Sequence, residues 1–508
     1  MRRSLSLFLP ALALVSACQP GGDASLEEAV RLHSAGKWAD ARIELMNFLK
    51  EEPANPGALK LMAQIQIASG DGVGAAATLE RLGGDAKSSE LADMRVEADM
   101  LRGRCGDLLA AEPDRRPLSA THRRVRALCA IDSGDMAAAE REIGTGLADH
   151  PNNAGLQVVG ARFALLRGDL VEAERLIGVA RKAKGDRFEI EMAAGGLDQR
   201  RANVSGALAH YEAAEKSNPL NSGPLAAQAE LLAAVEDEKR LDAVVKRLRN
   251  LAPQSPATAI AKARLALLLG NPRAAQESLL SARQLAGDRP AIQLLAGRVA
   301  ASLGNHEIAI AELSRYLGSG VRDEDAALTL AAVYAGTGDP DQAMATLKPL
   351  ADLAEPSRSV LAATAHYAKA AGQSKAAADY TARAARPSPV RTANLLVRAD
   401  RALSAKDWKG AIIAYQALID REGVRPNAMM LNNLGWAHFQ DGRTEKATEL
   451  LRSALKQAPD NASVLDSLGW VLWSSGKDRA TGRNHLAKAH RLAPTNATIK
   501  AHWAEANR

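Results

Sequence analysis

The sequence predicts an all-α solenoid of about thirteen helix-turn-helix repeats, and three observations carry that prediction. A turn marker returns every 34 residues, a small side chain and a proline stand at fixed distances from it, and the composition is 47% hydrophobic but only 3% aromatic. Such a composition suits helices packed through alanine and leucine. A chain of 508 residues would ordinarily divide into several globules, but solenoids lengthen by repetition instead.

The marker is easiest to see in "LGWAHFQDGRTEKA", at Gly442. Counting back, Gly134, Gly168, Ala202, Glu236, Gly270, Gly304, Gly338, Gly372 and Lys406 follow at steps of 34. Gly442 and Gly476 resume the step after a two-residue insertion, and Gly36 and Gly70 carry it at the front. Glycine supplies the left-handed conformation that ends a helix. The Asp or Asn that often follows (Asp71, Asp135, Asp169, Asn271, Asn305, Asp339) can cap the next one. Five residues after most of the markers stands alanine, from Ala41 and Ala75 to Ala411 and Ala447, where two helices must come close. Seventeen after it, Pro53, Pro151, Pro219, Pro253 and Pro459 stop the second helix. Each pair leaves an apolar face that only its neighbours can cover, so the repeats stack into one array. The register weakens at Arg104, with two prolines between Glu112 and Ser119, and again at Arg386-Pro387-Ser388-Pro389.

With its Leu-Gly, Ala and Pro positions at these offsets, the chain resembles the tetratricopeptide repeat family from about residue 24 to its end. The resemblance implies a right-handed superhelix in which the first helix of each pair lines a concave groove. Its ligand-facing positions lie thirteen, ten, six and three residues before the marker. In the last two repeats these are Met429, Asn432, Trp436 and Phe439, then Ser463, Asp466, Trp470 and Trp473. The expected ligand groove is therefore an aromatic stripe of Trp436, Phe439, Trp470 and Trp473 framed by Asn432 and Asp466, since exposed rings give large contact area for little lost entropy. Packing at the thin end of the solenoid is the other reading of the same tryptophans. Upstream, Arg264 and Arg298 hold the position six before their markers, with Arg162, Glu230 and His366 in the same column. There they could grip carboxylates or simply stand in solvent. Trp503, seven before the next expected marker, should pack between helices.

The first residues read Met-Arg-Arg, an apolar run from Leu5 to Val15, then Val15-Ser16-Ala17-Cys18. These are the parts of a secretory signal too short to span a bilayer, and its end resembles the bacterial lipobox. That resemblance implies cleavage after Ala17, acylation of Cys18 with palmitate among the chains, and, because Gln19 rather than Asp follows, residence in the outer membrane facing the periplasm. The expected domains are the signal 1–17, a lipidated tether 18–24, repeats 25–103, a shortened repeat 104–133, a central array 134–422, and closing repeats with a capping helix 423–508. A periplasmic compartment allows Cys105 and Cys129 to form a disulfide; two buried thiols are the alternative.

The net charge of +6, lowered by loss of Arg2 and Arg3, is weak and dispersed, which argues against nucleic acid. No phosphate loop, H-E-x-x-H, G-x-S-x-G or Cys/His zinc spacing occurs, so no enzyme, cofactor or metal is expected. The expected function is a non-catalytic, lipid-anchored scaffold that binds a protein or peptide of the cell envelope. "LNNLGWAHF" and "LDSLGWVLW" also look like the closing repeats of exosortase-associated and exopolysaccharide-export lipoproteins. Two other readings stay open, a pilus or secretin assembly lipoprotein and a polysaccharide-binding groove lined by tryptophan.

Overall fold

The computed structural model describes residues 25–83, 89–111, 118–386 and 388–508. The expected leader, Cys18 and the tether lie outside the described residues, as do Pro113, Pro117 and Pro387 of the two irregular points. Among the described residues every regular element is an α-helix, from Leu26–Ser34 to Ala497–Ala506. The chain falls into two compact units, residues 1–139 and 140–508, which divide inside the helix Met136–Asp149.

Each landmark of the ladder has its physical counterpart. Ala173, Ala207, Ala275, Ala309, Ala343, Ala411 and Ala447 are fully buried. The helices Val204–Ser217, Glu238–Leu251 and Thr444–Gln457 each stop two residues before Pro219, Pro253 and Pro459. Asp71, Asp169, Asn271 and Asp339 accept from the backbone N–H three residues on. Asn305 makes no such bond, so the cap is not universal.

In the unit 1–139 the turn expected at Arg104 falls at Gly103 (φ +83°). Arg104 instead precedes a helix of only six residues, Cys105–Ala110. Cys105 is joined by a disulfide to Cys129 of the helix Ala120–Ser133, with Cα atoms 5.1 Å apart. The bond ties the shortened second helix to its neighbour.

The unit 140–508 holds the contact that no local pattern announces. Ala202, Glu236 and Lys406, the markers that are not glycine in this stretch, still adopt left-handed backbone, at φ +55°, +53° and +57°. Each carries a steric cost that glycine would not. All three turns belong to a seam where repeats six apart in the ladder meet. Asp407, only 2% exposed, caps its own helix Trp408–Asp420 by accepting from the Gly410 N–H (3.2 Å). It also accepts from the Val204 N–H (2.9 Å), the Ser205 N–H (3.2 Å) and the Ser205 hydroxyl (2.8 Å). One carboxylate thus completes the first turns of two helices. Gly410 is required here, since a Cβ would lie 3.0 Å from the Ala202 carbonyl oxygen and closer still to Asp407. Beside it, Lys409 lies between Asp237 (3.0 Å) and Asp441 (2.9 Å), while Arg443 Nη2 donates to the Val235 carbonyl at 3.4 Å. Burial pushes the Asp237 carboxyl up, but hydrogen bonds from Lys409 and the Arg240 N–H outweigh it and hold it below the usual aspartate range. Its contribution is therefore complete above the ordinary aspartate pKa of 3.8 and is lost as pH falls through the lowered value.

The two-residue insertion ahead of Gly442 has a related use. Its connection carries Arg421 to Asp325 (3.0 Å), lets the Arg421 carbonyl accept from the Ser359 N–H (3.0 Å), and places the fully buried Glu422 2.7 Å from Arg391.

Replacing Asp407 by alanine strands three buried or half-buried backbone donors, so it should cost roughly 3 kcal/mol of unfolding free energy. The amides of Val204 and Ser205 should exchange hydrogen faster. Asp407→Asn, which keeps one accepting oxygen, should lie between; an alanine variant with unchanged exchange at Val204 would remove the seam from the account.

Candidate functional site

Leu-Gly-Trp in the closing repeats is a two-part device. A Cβ at Gly435 would lie 2.8 Å from Leu451 Cγ, and one at Gly469 would lie 2.9 Å from the Gly482 carbonyl oxygen. The glycine therefore lets the second helix of the pair close onto the first. The next residue, one hundred degrees round the helix, turns away from that contact. Trp436 and Trp470 both end up half-buried.

Their surroundings differ from the expected continuous stripe. His502, from the last helix Ala497–Ala506, stacks on Trp470 with ring centroids 4.1 Å apart and planes inclined by 17°. It lies 6.2 Å from the Trp436 ring, and its Nδ1 is 2.9 Å from Asp466 Oδ2. The last helix thus covers Trp470 and leaves Trp436 as the wall of a cavity. Phe439 packs on the buried group of Leu451, Leu468, Val471 and Leu472, and Trp473 rests beside Trp470 at 5.3 Å. Trp503 stacks beside His490 at 6.3 Å and is half-buried.

The cavity has a volume of about 300 Å³ and is walled by Trp408, Trp436, Asn432, Asp466 and His502, with Asn433, Ser467 and Thr498 at its margin. Asn432 and Asp466 are each 6% exposed. Asn432 Oδ1 and Asp466 Oδ1 are buried without a hydrogen-bond partner. The site therefore brings together Asn432, Trp436 and Asp466 from the expected set. Arg264 and Arg298 are absent from it: Arg264 pairs with Glu230 at 3.3 Å, and both lie on earlier helices, Pro256–Leu268 and Pro290–Ser302. Sequence reasoning missed His502 and Trp408. Spacing gave no signal for His502, but Trp408 stands two residues after a marker in a run, Lys406-Asp407-Trp408-Lys409-Gly410, whose charge and missing glycine set it apart.

A larger cavity, about 790 Å³, lies at the seam between the turn at Glu236 and the helices Pro389–Ser404 and Trp408–Asp420. Its walls mix Leu395, Ile412 and Ile413 with Arg398, Lys409 and His438. Lys409 is engaged by its two carboxylates, while Arg398 Nε and His438 Nδ1 are buried without partners. Burial lowers Arg398 below the usual arginine value, and Asp407 opposes the shift. Among the described residues no cluster of His, Cys, Asp and Glu is arranged to hold a metal ion, and no helix is long and apolar enough to cross a membrane.

His438, 5% exposed, is pushed down to about 4, chiefly by burial and then by Arg443. The unfolded chain, with histidine near 6.5, takes up its proton first. Stability from this residue is thus complete above pH 6.5, declines as pH falls from 6.5 to about 4, and changes no further below that. The decline is on the order of 3 kcal/mol. Melting temperatures of His438→Leu should fall less steeply than wild type across that interval; equal slopes would show that other groups govern acid unfolding.

A tetratricopeptide-repeat family model matches residues 260–327 and 396–462. No curated protein matches the sequence. Similar solved structures include the APC/C hetero-tetramer Cut9-Hcn1, 15% identical over 94% of this chain and 95% of that one, with a TM-score of 0.40. A tetratricopeptide repeat protein from Parabacteroides merdae is 15% identical over 53% and 94%, at 0.32. PilW, a widely conserved type IV pilus biogenesis factor, is 20% identical over 42% and 97%, at 0.33. The two matched stretches are tetratricopeptide repeats, and the described helices on either side of them continue the same all-α pattern of helical pairs.

Proposed function

We propose that the chain is a non-catalytic scaffold of the bacterial cell envelope, held to the periplasmic face of the outer membrane by lipid on Cys18, which binds a polypeptide partner at its closing repeats. Protein interaction is what tetratricopeptide repeats generally provide. The observation that carries the reading is the cavity at Trp436, where two acceptors that are more than nine-tenths buried lack partners beside two indole rings. Native proteins pair nearly all such atoms, so two acceptors without partners on the residues of one cavity offer a donor group a place to bind. A polysaccharide ligand is less favoured, because Trp470, the ring a sugar would share with Trp436, is covered by His502. The envelope pathway served is left to the identity of the partner.

Trp436→Ala should abolish capture of the partner from solubilised envelope while changing the melting temperature little. Trp470→Ala should instead loosen the last helix, because it removes the ring beneath His502. If Trp436→Ala retains the partner, the closing groove is not the binding site.

The anchor is tested separately. Cys18→Ser should lose palmitate label and leave the outer-membrane fraction; a variant that still fractionates there would refute lipid anchoring.

A further inference from the structure

We propose that the cavity at Trp436 receives the guanidinium group of an arginine side chain on the partner polypeptide. The proposal rests on the reading of the closing repeats as a partner groove and adds to it the chemistry of what is recognised.

Four observations point the same way. First, the unsatisfied atoms are both acceptors, Asn432 Oδ1 and Asp466 Oδ1, so the missing group must donate. Second, among the described residues lining the cavity Asp466 is the one acid, and neither lysine nor arginine is present; the complementary ligand carries positive charge. His502 engages its Oδ2, at 2.9 Å, and leaves its Oδ1 without a partner. Third, Trp408 and Trp436 supply ring surfaces, on which a planar, weakly hydrated cation stacks favourably. A guanidinium offers five donors in one plane, enough to serve two acceptors on different residues, whereas an ammonium is a strongly hydrated point charge. Fourth, a volume near 300 Å³ is enough to admit one long side chain.

The helix Ala428–Gln440 provides Asn432 and Trp436, the helix Ala462–Ser474 provides Asp466, and the last helix provides His502. The arginine would therefore be read by three successive first helices, which is how a groove fixes the register of an extended chain. Binding the cation also removes the desolvation cost of two buried acceptors left open.

The test uses the full-length protein and three blocked pentapeptides, Gly-Ala-X-Ala-Gly, with arginine, lysine or citrulline as X. Citrulline keeps the shape of arginine and removes its charge. Titration followed by indole fluorescence and calorimetry should show binding of the arginine peptide, with citrulline at least about tenfold weaker and lysine between them. Asp466→Asn, nearly isosteric, should erase the arginine preference while its circular dichroism stays native. Failure of the arginine peptide to bind, or equal binding of arginine and citrulline by wild type, overturns the proposal without reliance on any variant; equal binding of lysine overturns the guanidinium assignment. If Trp436→Ala loses the envelope partner while arginine and citrulline bind alike, the groove stands and the arginine falls. If the arginine peptide binds but partner capture is indifferent to Trp436, the reverse holds.

Discussion

Everything in this chain depends on how closely the two helices of a pair can approach. An alanine at zero exposure five residues after the turn in repeat after repeat allows backbones to approach near the short end of helix separations. The large side chains on either side then interdigitate with those of the next pair. Because no pair can cover its own second face, stability accumulates along the array rather than in a centre. The glycines at 435 and 469 press the same constraint further, to the point where a methyl group would overlap Leu451 or the Gly482 backbone. An overlap of that kind typically costs 1–3 kcal/mol, on the order of a tenth to a third of a domain's stability.

A solenoid governed only by nearest neighbours would have no contact between repeats six steps apart. In the unit 140–508 such a contact exists, and its chemistry is economical. Asp407 is buried as a cap, and a cap already needs backbone donors; the second helix merely supplies more of them. Lys409 is likewise balanced by Asp237 and Asp441, so neither charge is left uncompensated in a dry setting. The strain falls on the turns. Ala202, Glu236 and Lys406 hold left-handed backbone without being glycine, and such violations of local preference persist only where the surroundings over-determine them.

The helices, their boundaries and the buried alanines were legible from the sequence because each is fixed within one 34-residue period. Pro219 ends a helix through its own covalent geometry, and Ala207 is small whatever lies across from it. The seam was not legible, since what Asp407 caps on Val204 depends on how a small rotation per repeat accumulates over six repeats, and no single period records that rotation. The candidate site was half legible. Asn432, Trp436 and Asp466 follow from the register of the first helices, but the partner of Asp466 is His502 of the helix Ala497–Ala506, which no landmark of the 34-residue period singles out. Trp470 shows the consequence: the same Leu-Gly-Trp that opens a cavity in one repeat is roofed in the next, where His502 stacks on the ring.

Seam and groove meet in one five-residue stretch, Lys406 to Gly410. Asp407 and Lys409 fasten it to the repeats around Val204 and Asp237, and Trp408, between them, forms a wall of the cavity with Trp436. Five of the six tryptophans of the chain lie between Trp408 and Trp503, so the ring surface is concentrated where the array is doubly held. A binding wall works by being in place before the ligand arrives, since ordering it afterwards would subtract from affinity. In a repeat array held only by nearest neighbours, any stretch can open locally. The long-range cap opposes such opening: it tethers the repeat that precedes the closing ones to Val204, Ser205 and Asp237, and the recognition surface is built immediately after the tether.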